Sequence, residues 1–352
     1  MKKTLLIFFS ILFLGSLACG GTTPSSTETP QTEPTPAPVI DASPTTAPLA
    51  SPTEIVVEPT MAPPSLRLLY IREGDLWSWT DASGSARLTA TGDLSTVRIS
   101  PDGGLLAFMR GPEVWTVRMD GTEARMLMAQ NLDGAALWFA PDGSSLGVST
   151  PDHIDVVDLD TSNSFTVITY PALPHNYYPE IIWTPDSSGF KTVIPAPADG
   201  GQAELLFVFT NGTVASLAKF AMVPLSESMP YISLDGGYII YVAKVSEGSE
   251  ALHLMDSSGA TRPYGQAGEK IRALGWLPDS MHFAYVDLGL QKAFLGNIED
   301  QSIEVAITTA PVFRWVDVEQ YFALENGTLI LGDISGGKIQ IDSNVWDFDF
   351  AP

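Results

Sequence analysis

A short turn phrase recurs five times along the chain: Ser100-Pro101-Asp102-Gly103, Ala140-Pro141-Asp142-Gly143, Thr184-Pro185-Asp186-Ser187, Ser233-Leu234-Asp235-Gly236 and Leu277-Pro278-Asp279-Ser280. Measured at Pro101, Pro141, Pro185, Leu234 and Pro278, the steps are 40, 44, 49 and 44 residues. Self-similarity at this period marks an array of four-stranded units, each unable to bury its apolar faces without neighbours.

Each copy ends a strand and begins another. Val97 and Ile99, Leu137 and Phe139, Ile181 and Trp183, and Leu274 and Trp276 alternate before the turn, which is the spacing of a strand with one packed face. Proline cannot donate to a sheet ladder and stops the strand. Asp then bonds nearby amides, and the Gly that follows it in three copies accepts a positive φ. A second strand follows: Leu105–Arg110, Leu146–Thr150, Phe190–Ile194, Tyr238–Ala243 and Phe283–Asp287. Third and fourth strands flank a further Asp/Asn/Gly cluster, as at Asp120-Gly121, Asn211-Gly212 and Asp256–Gly259.

Two more units follow once the template is known. Phe313 and Trp315 alternate, then come 320–324, 328–332 and 338–341, with Val316-Asp317 replacing the turn dipeptide. The last unit is split. The C-terminal Phe348-Asp349-Phe350-Ala351-Pro352 has the pattern of Leu137–Pro141, and its missing strands are 68–72, 76–79 and 86–89 near the other end. The prediction is an all-β, seven-bladed β-propeller of four-stranded antiparallel blades over residues 65–352, closed by the C-terminal strand joining the N-terminal blade.

The aromatic–small–Pro-Asp-Gly/Ser motif followed by a strand and an Asp-Gly hairpin resembles the TolB-like propeller repeat of bacterial exported proteins. The resemblance covers nearly all of 65–352 and implies blades packed around an axial channel. TolB has a separate α/β domain before its propeller, where this chain has only a Thr/Pro tract, so the fold is carried over and the role in the Tol system is not.

The N-terminus points to export. Met1-Lys2-Lys3 precedes the apolar run Leu5–Leu14, which is too short to span a bilayer and reads as a signal peptide over 1–18. Gly15-Ser16-Leu17-Ala18-Cys19 resembles a bacterial lipobox, with Ser16 where that motif prefers Leu. The single cysteine of the chain, Cys19, is the expected lipidation site, anchoring the protein on the extracytoplasmic side of a bacterial membrane. Residues 20–64, rich in Thr, Pro, Ser, Ala and Glu, read as an extended stalk that cannot bury enough apolar surface to fold.

The formal charge of −23 argues against nucleic acid and anionic lipid surfaces as partners, since both require basic patches. No cofactor is expected. His153, His175, His253 and His282 lack zinc-ligand spacing. The oxygen-rich hairpin Asp155, Asp158, Asp160, Ser162, Asn163 lacks the Gly and distal Glu of a calcium loop. Gly143-Ser144-Ser145-Leu146-Gly147 matches a nucleophile elbow as a string but sits in a strand-to-strand turn.

Two places depart from the repeat. The connection Pro171–Glu180 carries His175, Tyr177 and Tyr178 and is a candidate exposed recognition loop. The longer segments 196–202 and 222–230 belong to the same part of the ring, where insertions often mark the binding face. Three residues before the turn proline, the copies read Arg98, Trp138, Ile182, Tyr231, Gly275, Arg314 and Asp349. Variation at a framework position fits a tailored channel mouth or relaxed packing. Arg98, Trp138, Tyr231, Arg314, Asp347 and Asp349 are the candidate mouth residues. The expected function is a monomeric, non-enzymatic binding or scaffold module for a protein, peptide or cell-wall glycan. The alternative is a glycan-active hydrolase or lyase with acids at the channel mouth, which would need paired carboxylates about 5–10 Å apart.

Overall fold

A computed structural model describes residues 67–129, 134–174, 177–196, 201–308, 310 and 312–351. Cys19, the leader and the stalk lie outside these residues, as do His175 and Pro352. The described chain forms seven four-stranded antiparallel sheets arranged as a seven-bladed β-propeller. In the first blade, Leu94–Ile99, Leu105–Arg110, Glu113–Arg118 and Arg125–Ala129 run as a meander from inner to outer edge. The inner strands of the next five blades are Ala136–Phe139, Ile182–Trp183, Tyr231–Ile232, Ile271–Trp276 and Val312–Trp315. Two of them are only two residues long, and Ile182–Trp183 is shorter than the alternation of Ile181 and Trp183 predicts.

The seventh blade is the split one. Val345–Ala351 pairs antiparallel with Arg67–Arg72, with Leu68 opposite Phe350 and Tyr70 opposite Phe348, and Asp75–Thr80 and Gly84–Arg87 complete the sheet. Ring closure is therefore made by the two ends of the domain, and the inner edge of this blade is not left open.

Among the described residues the core consists of seven apolar clusters, each filled from two neighbouring blades. Leu68 and Tyr70 pack with Phe322, Leu324 and Leu329 of the sixth blade, while Leu69 and Ile71 pack with Leu94, Val97 and Leu106 of the first. In the sixth blade Phe322 faces one cluster, and Tyr321 and Ala323 face the other. Successive side chains of a strand point to opposite faces, and both faces are covered here. This is why the second strands read as continuous apolar runs rather than alternating ones.

The repeated phrase is turn chemistry, as its residues predict. Asp102 Oδ1 accepts from Ser100 Oγ at 2.5 Å and from the Gly104 amide at 3.0 Å, while the Leu105 amide donates back to Ser100 Oγ at 2.8 Å. The Ser100 hydroxyl and the Gly104 amide hold the Asp102 carboxyl below its ordinary pKa. Ser233 and Asp235 repeat these bonds. Asp317 supplies the turn in the sixth blade without proline, accepting from the amides of Glu319 and Gln320, each at 2.8 Å. The fourth residue of the phrase is left-handed in every copy, glycine or not: φ is 70° at Gly103 and Gly143, 57° at Ser187, 69° at Gly236 and 56° at Ser280.

Serine at that position has a second use. Ser187 Oγ accepts from the Asp142 amide at 3.2 Å, and Ser280 Oγ from the Asp235 amide at 3.0 Å, each reaching back 45 residues to the preceding blade. Trp183 Nε1 donates to the Trp138 carbonyl at 3.1 Å and Trp276 Nε1 to the Tyr231 carbonyl at 3.0 Å, across the same spacing. The inserted segment 222–230 docks on the fifth blade: Ser228 Oγ accepts from the Ala273 amide at 3.1 Å, and the Glu227 carbonyl from Arg272 Nε at 3.3 Å.

Candidate functional site

The inner strands surround an axial cavity of about 550 Å³, and every blade contributes to its wall. Six of the seven varied positions line it: Arg98, Trp138, Tyr231, Gly275, Arg314 and Asp349. The seventh, Ile182, is buried instead between the third and fourth blades with Ile232 and Ile239. One strand repeat deeper, five residues before the turn proline, Ala136, Glu180, Met229, Val312 and Asp347 add a second layer. The wall is rich in rings, with Tyr177, Tyr178, Trp276, Phe313, Trp315 and Phe350 joining Trp138 and Tyr231.

The charged residues form two locked pairs. Asp347 Oδ2 accepts from Arg98 Nη1 at 2.7 Å and from the Val97 amide at 3.0 Å. Asp349 Oδ1 accepts from Arg314 Nη1 at 3.0 Å, and its Oδ2 from the Ile99 amide at 2.8 Å. Both carboxylates therefore tie the closing strand to the inner strand of the first blade. Burial opposes the charge on Arg98, but Asp347 and Asp349 together hold its pKa above the ordinary value. Burial and the neighbouring Arg98 pull Arg314 down, against the attraction of Asp349, Asp347 and Glu180.

Glu180 is different. Its Oε2 is buried with no hydrogen-bond partner, and burial pushes its pKa up to about 7, against the partial help of the Ile232 amide and Arg314. Tyr177 and Tyr231 lie close enough to feel it: burial first, then Glu180, raises both phenols. Trp138 Nε1, Trp315 Nε1 and Arg98 Nε, on residues of the same wall, are also buried without partners. Trp315 stands where Trp183 and Trp276 stand in their blades. The strand before it, however, carries a bulge between Ala273 and Gly275, with Gly275 at φ 124°.

In the described part of the 171–180 connection Pro171, Ala172 and Pro174 are exposed, while the two tyrosines are not. Tyr177 is buried and Tyr178 half-buried, and both rings line the cavity wall. The Tyr178 hydroxyl packs directly over Gly134, which sits at φ 123°, leaving no room there for a side chain. Sequence reasoning missed Glu180 as a site residue. The available signal was its place two residues before a varied position, in the register of Asp347.

Elsewhere, Asp158 is occupied by its own turn, accepting from the Asp160 amide at 3.0 Å and the Thr161 amide at 2.8 Å. Ser144 lies in the turn before the strand Ser145–Ser149, and Asp142 Oδ1 accepts from its hydroxyl at 2.8 Å. Among the described residues no three His, Cys, Asp or Glu side chains come together as a metal site. No helix among them is long and apolar enough to cross a membrane.

No family model matches the chain, and no curated protein matches it. Many solved structures share its fold. An oligogalacturonate lyase from Vibrio parahaemolyticus is 14% identical with a TM-score of 0.56, covering 79% of this chain and 85% of its own. A functionally unknown protein from Desulfotomaculum acetoxidans is 11% identical with a TM-score of 0.57, covering 82% and 99%. TolB from Acinetobacter baumannii is 12% identical with a TM-score of 0.49, covering 82% of each chain. The first two likenesses support the propeller architecture, and a shared propeller does not fix a function.

Proposed function

We propose that the chain is an exported, lipid-anchored binding module, with a propeller over 65–352 that receives part of a peptide, protein or cell-wall glycan in its axial cavity. One observation carries this reading. Positions that a repeat would keep alike instead differ from blade to blade, and six of them converge on one aromatic-lined cavity with unsatisfied polar groups in its wall. Pockets of several hundred Å³ with a few convergent polar groups are the usual form of small-ligand sites. Cys19 and the stalk 20–64 supply the anchor and reach in this reading, and a Cys19→Ser variant should leave the membrane fraction.

The test is a panel of cell-wall oligosaccharides and peptides titrated against the full chain. Binding should be lost in Trp138→Ala and kept in Trp346→Ala, whose indole is 65% exposed on the exterior. The reverse pattern would place recognition on the outer surface.

One observation favours the enzyme reading. A carboxyl group with a pKa of about 7, such as Glu180, is suited to general-acid catalysis. Against it, the other two acids of the wall are each committed to an arginine and a backbone amide. Neither is free to act as nucleophile or base. Incubation with oligogalacturonate and cell-wall oligosaccharides, followed by product analysis, separates the readings. Turnover lost in Glu180→Gln would make the chain an enzyme.

A further inference from the structure

We propose that the axial cavity takes a ligand bearing an ammonium group, with Glu180 as its counter-ion and the rings of Tyr177, Tyr231 and Trp138 as its walls. This rests on the axial-cavity reading and names the ligand class. The charges of the wall lead to it. Among the described residues five charged side chains line the cavity: Arg98, Glu180, Arg314, Asp347 and Asp349. Arg98 is neutralised by Asp347 at 2.7 Å and Arg314 by Asp349 at 3.0 Å. Glu180 makes no ion pair with either arginine and keeps Oε2 unpartnered. An ionised Glu180 leaves the cavity with a single uncompensated negative charge, whose complement is a monocation.

The surroundings fit that complement. Buried ammonium groups are held by a carboxylate for charge and by aromatic faces, whose quadrupole attracts cations. An anion pairing with Arg98 Nη1 or Arg314 Nη1 would have to displace Asp347 or Asp349, and both also bind the amides that join the closing strand to the first blade. The net charge of −23 also draws cations toward the protein.

The free site resists ionisation, because burial holds Glu180 near a pKa of about 7. A cation must therefore select the ionised fraction, and apparent affinity scales with that fraction. Among the described residues, the groups that act on Glu180 keep one charge state between pH 6 and 8. Tyr177 and Tyr231 are phenols raised by burial, and Arg314 is a guanidinium that stays charged.

Choline tests this cleanly, since a quaternary ammonium does not titrate. Calorimetry on the full chain should show choline binding about tenfold tighter at pH 8 than at pH 6. Glu180→Gln should weaken it at least tenfold and flatten the pH dependence. Met229→Lys, which places an ammonium in the wall layer that holds Glu180, should suppress choline binding through a different residue. Nα-acetyl-lysine amide and glucosamine then distinguish a peptide from an amino sugar as the source of the ammonium. If choline, the lysine amide and glucosamine all fail to bind, or bind equally to wild type and both variants, the ammonium proposal is overturned. Should a neutral oligosaccharide or peptide then bind and be lost in Trp138→Ala, the cavity reading survives without it. If no ligand responds to Trp138→Ala, both fall.

Discussion

Asp347 and Arg98 stand 249 positions apart in the chain and meet at 2.7 Å beside the ring axis. The same carboxylate accepts from the Val97 amide at 3.0 Å, so one side chain joins the closing strand to the inner strand of the first blade. Both partners are mostly buried, with side-chain exposures of 12% for Arg98 and 17% for Asp347. Removing one partner of such a pair leaves the other charge stranded, which costs about 3–5 kcal/mol. Asp347→Ala and Arg98→Ala should each lower stability by about 3 kcal/mol in urea unfolding. The double variant should lose clearly less than the sum, because the second change removes the charge stranded by the first. Additive losses would show that the pair is not coupled.

Ser280 is left-handed and also accepts from the Asp235 amide of the preceding blade. Ser280→Ala keeps the backbone strain and orphans a donor, at a cost of about 1–2 kcal/mol. Ser280→Gly loses the same bond but relieves the strain, worth about 1 kcal/mol, and should be the milder change. Thermal unfolding of the two variants side by side gives the order. An alanine variant as stable as the glycine one would contradict it.

The blades were legible because their chemistry is local. A turn made by Asp102 accepting from Ser100 and Gly104 needs only four or five residues, so it repeats as a string. The variable position was legible too, since alignment by the turn proline put Arg98, Trp138 and Asp349 in one register. What was not legible depends on partners distant in sequence. An aromatic connection such as 171–180 reads as exposed until another blade presents Gly134 for Tyr178 to cover. Ile181 and Trp183 read as the packed face, and Glu180 precedes an inner strand of only two residues, Ile182–Trp183, so only its register with Asp347 marks it as facing the axis. The locked state of Asp347 and Asp349 depends on Val97 and Ile99, some 250 residues away.

Glu180 also makes stability depend on pH in a definite direction. Its pKa is raised from 4.5 to about 7 on folding, so the folded state holds a proton that the unfolded chain releases between these values. Stability must therefore fall as pH rises through that window, by up to about 3 kcal/mol from this group alone. Other carboxylates, such as Asp102, are lowered on folding and contribute in the opposite sense, so the difference from Glu180→Gln is the quantity to measure. The variant should match wild type near pH 4.5 and exceed it near pH 8. A difference that does not change with pH would mean that Glu180 is solvated.

Gly134 and Tyr178 form a second coupled pair. A methyl group at Gly134 would collide with the tyrosine hydroxyl and would sit at φ 123°. Gly134→Ala should destabilise the fold and push Tyr178 from the cavity wall. Adding Tyr178→Ala should recover the steric part, leaving the backbone strain of about 1–3 kcal/mol. If the double variant is no more stable than Gly134→Ala, the hydroxyl is not what constrains the glycine.

The central claim is that recognition occurs on the axis of the ring, and fluorine NMR of 5-fluorotryptophan-labelled protein tests it most directly. The chain has 8 tryptophans, of which Trp138, Trp276 and Trp315 line the cavity and Trp346 is exposed outside it. On saturation with a ligand found by titration, the resonances of the three wall residues should shift while that of Trp346 stays fixed. A shift at Trp346 with the three unmoved would contradict the account.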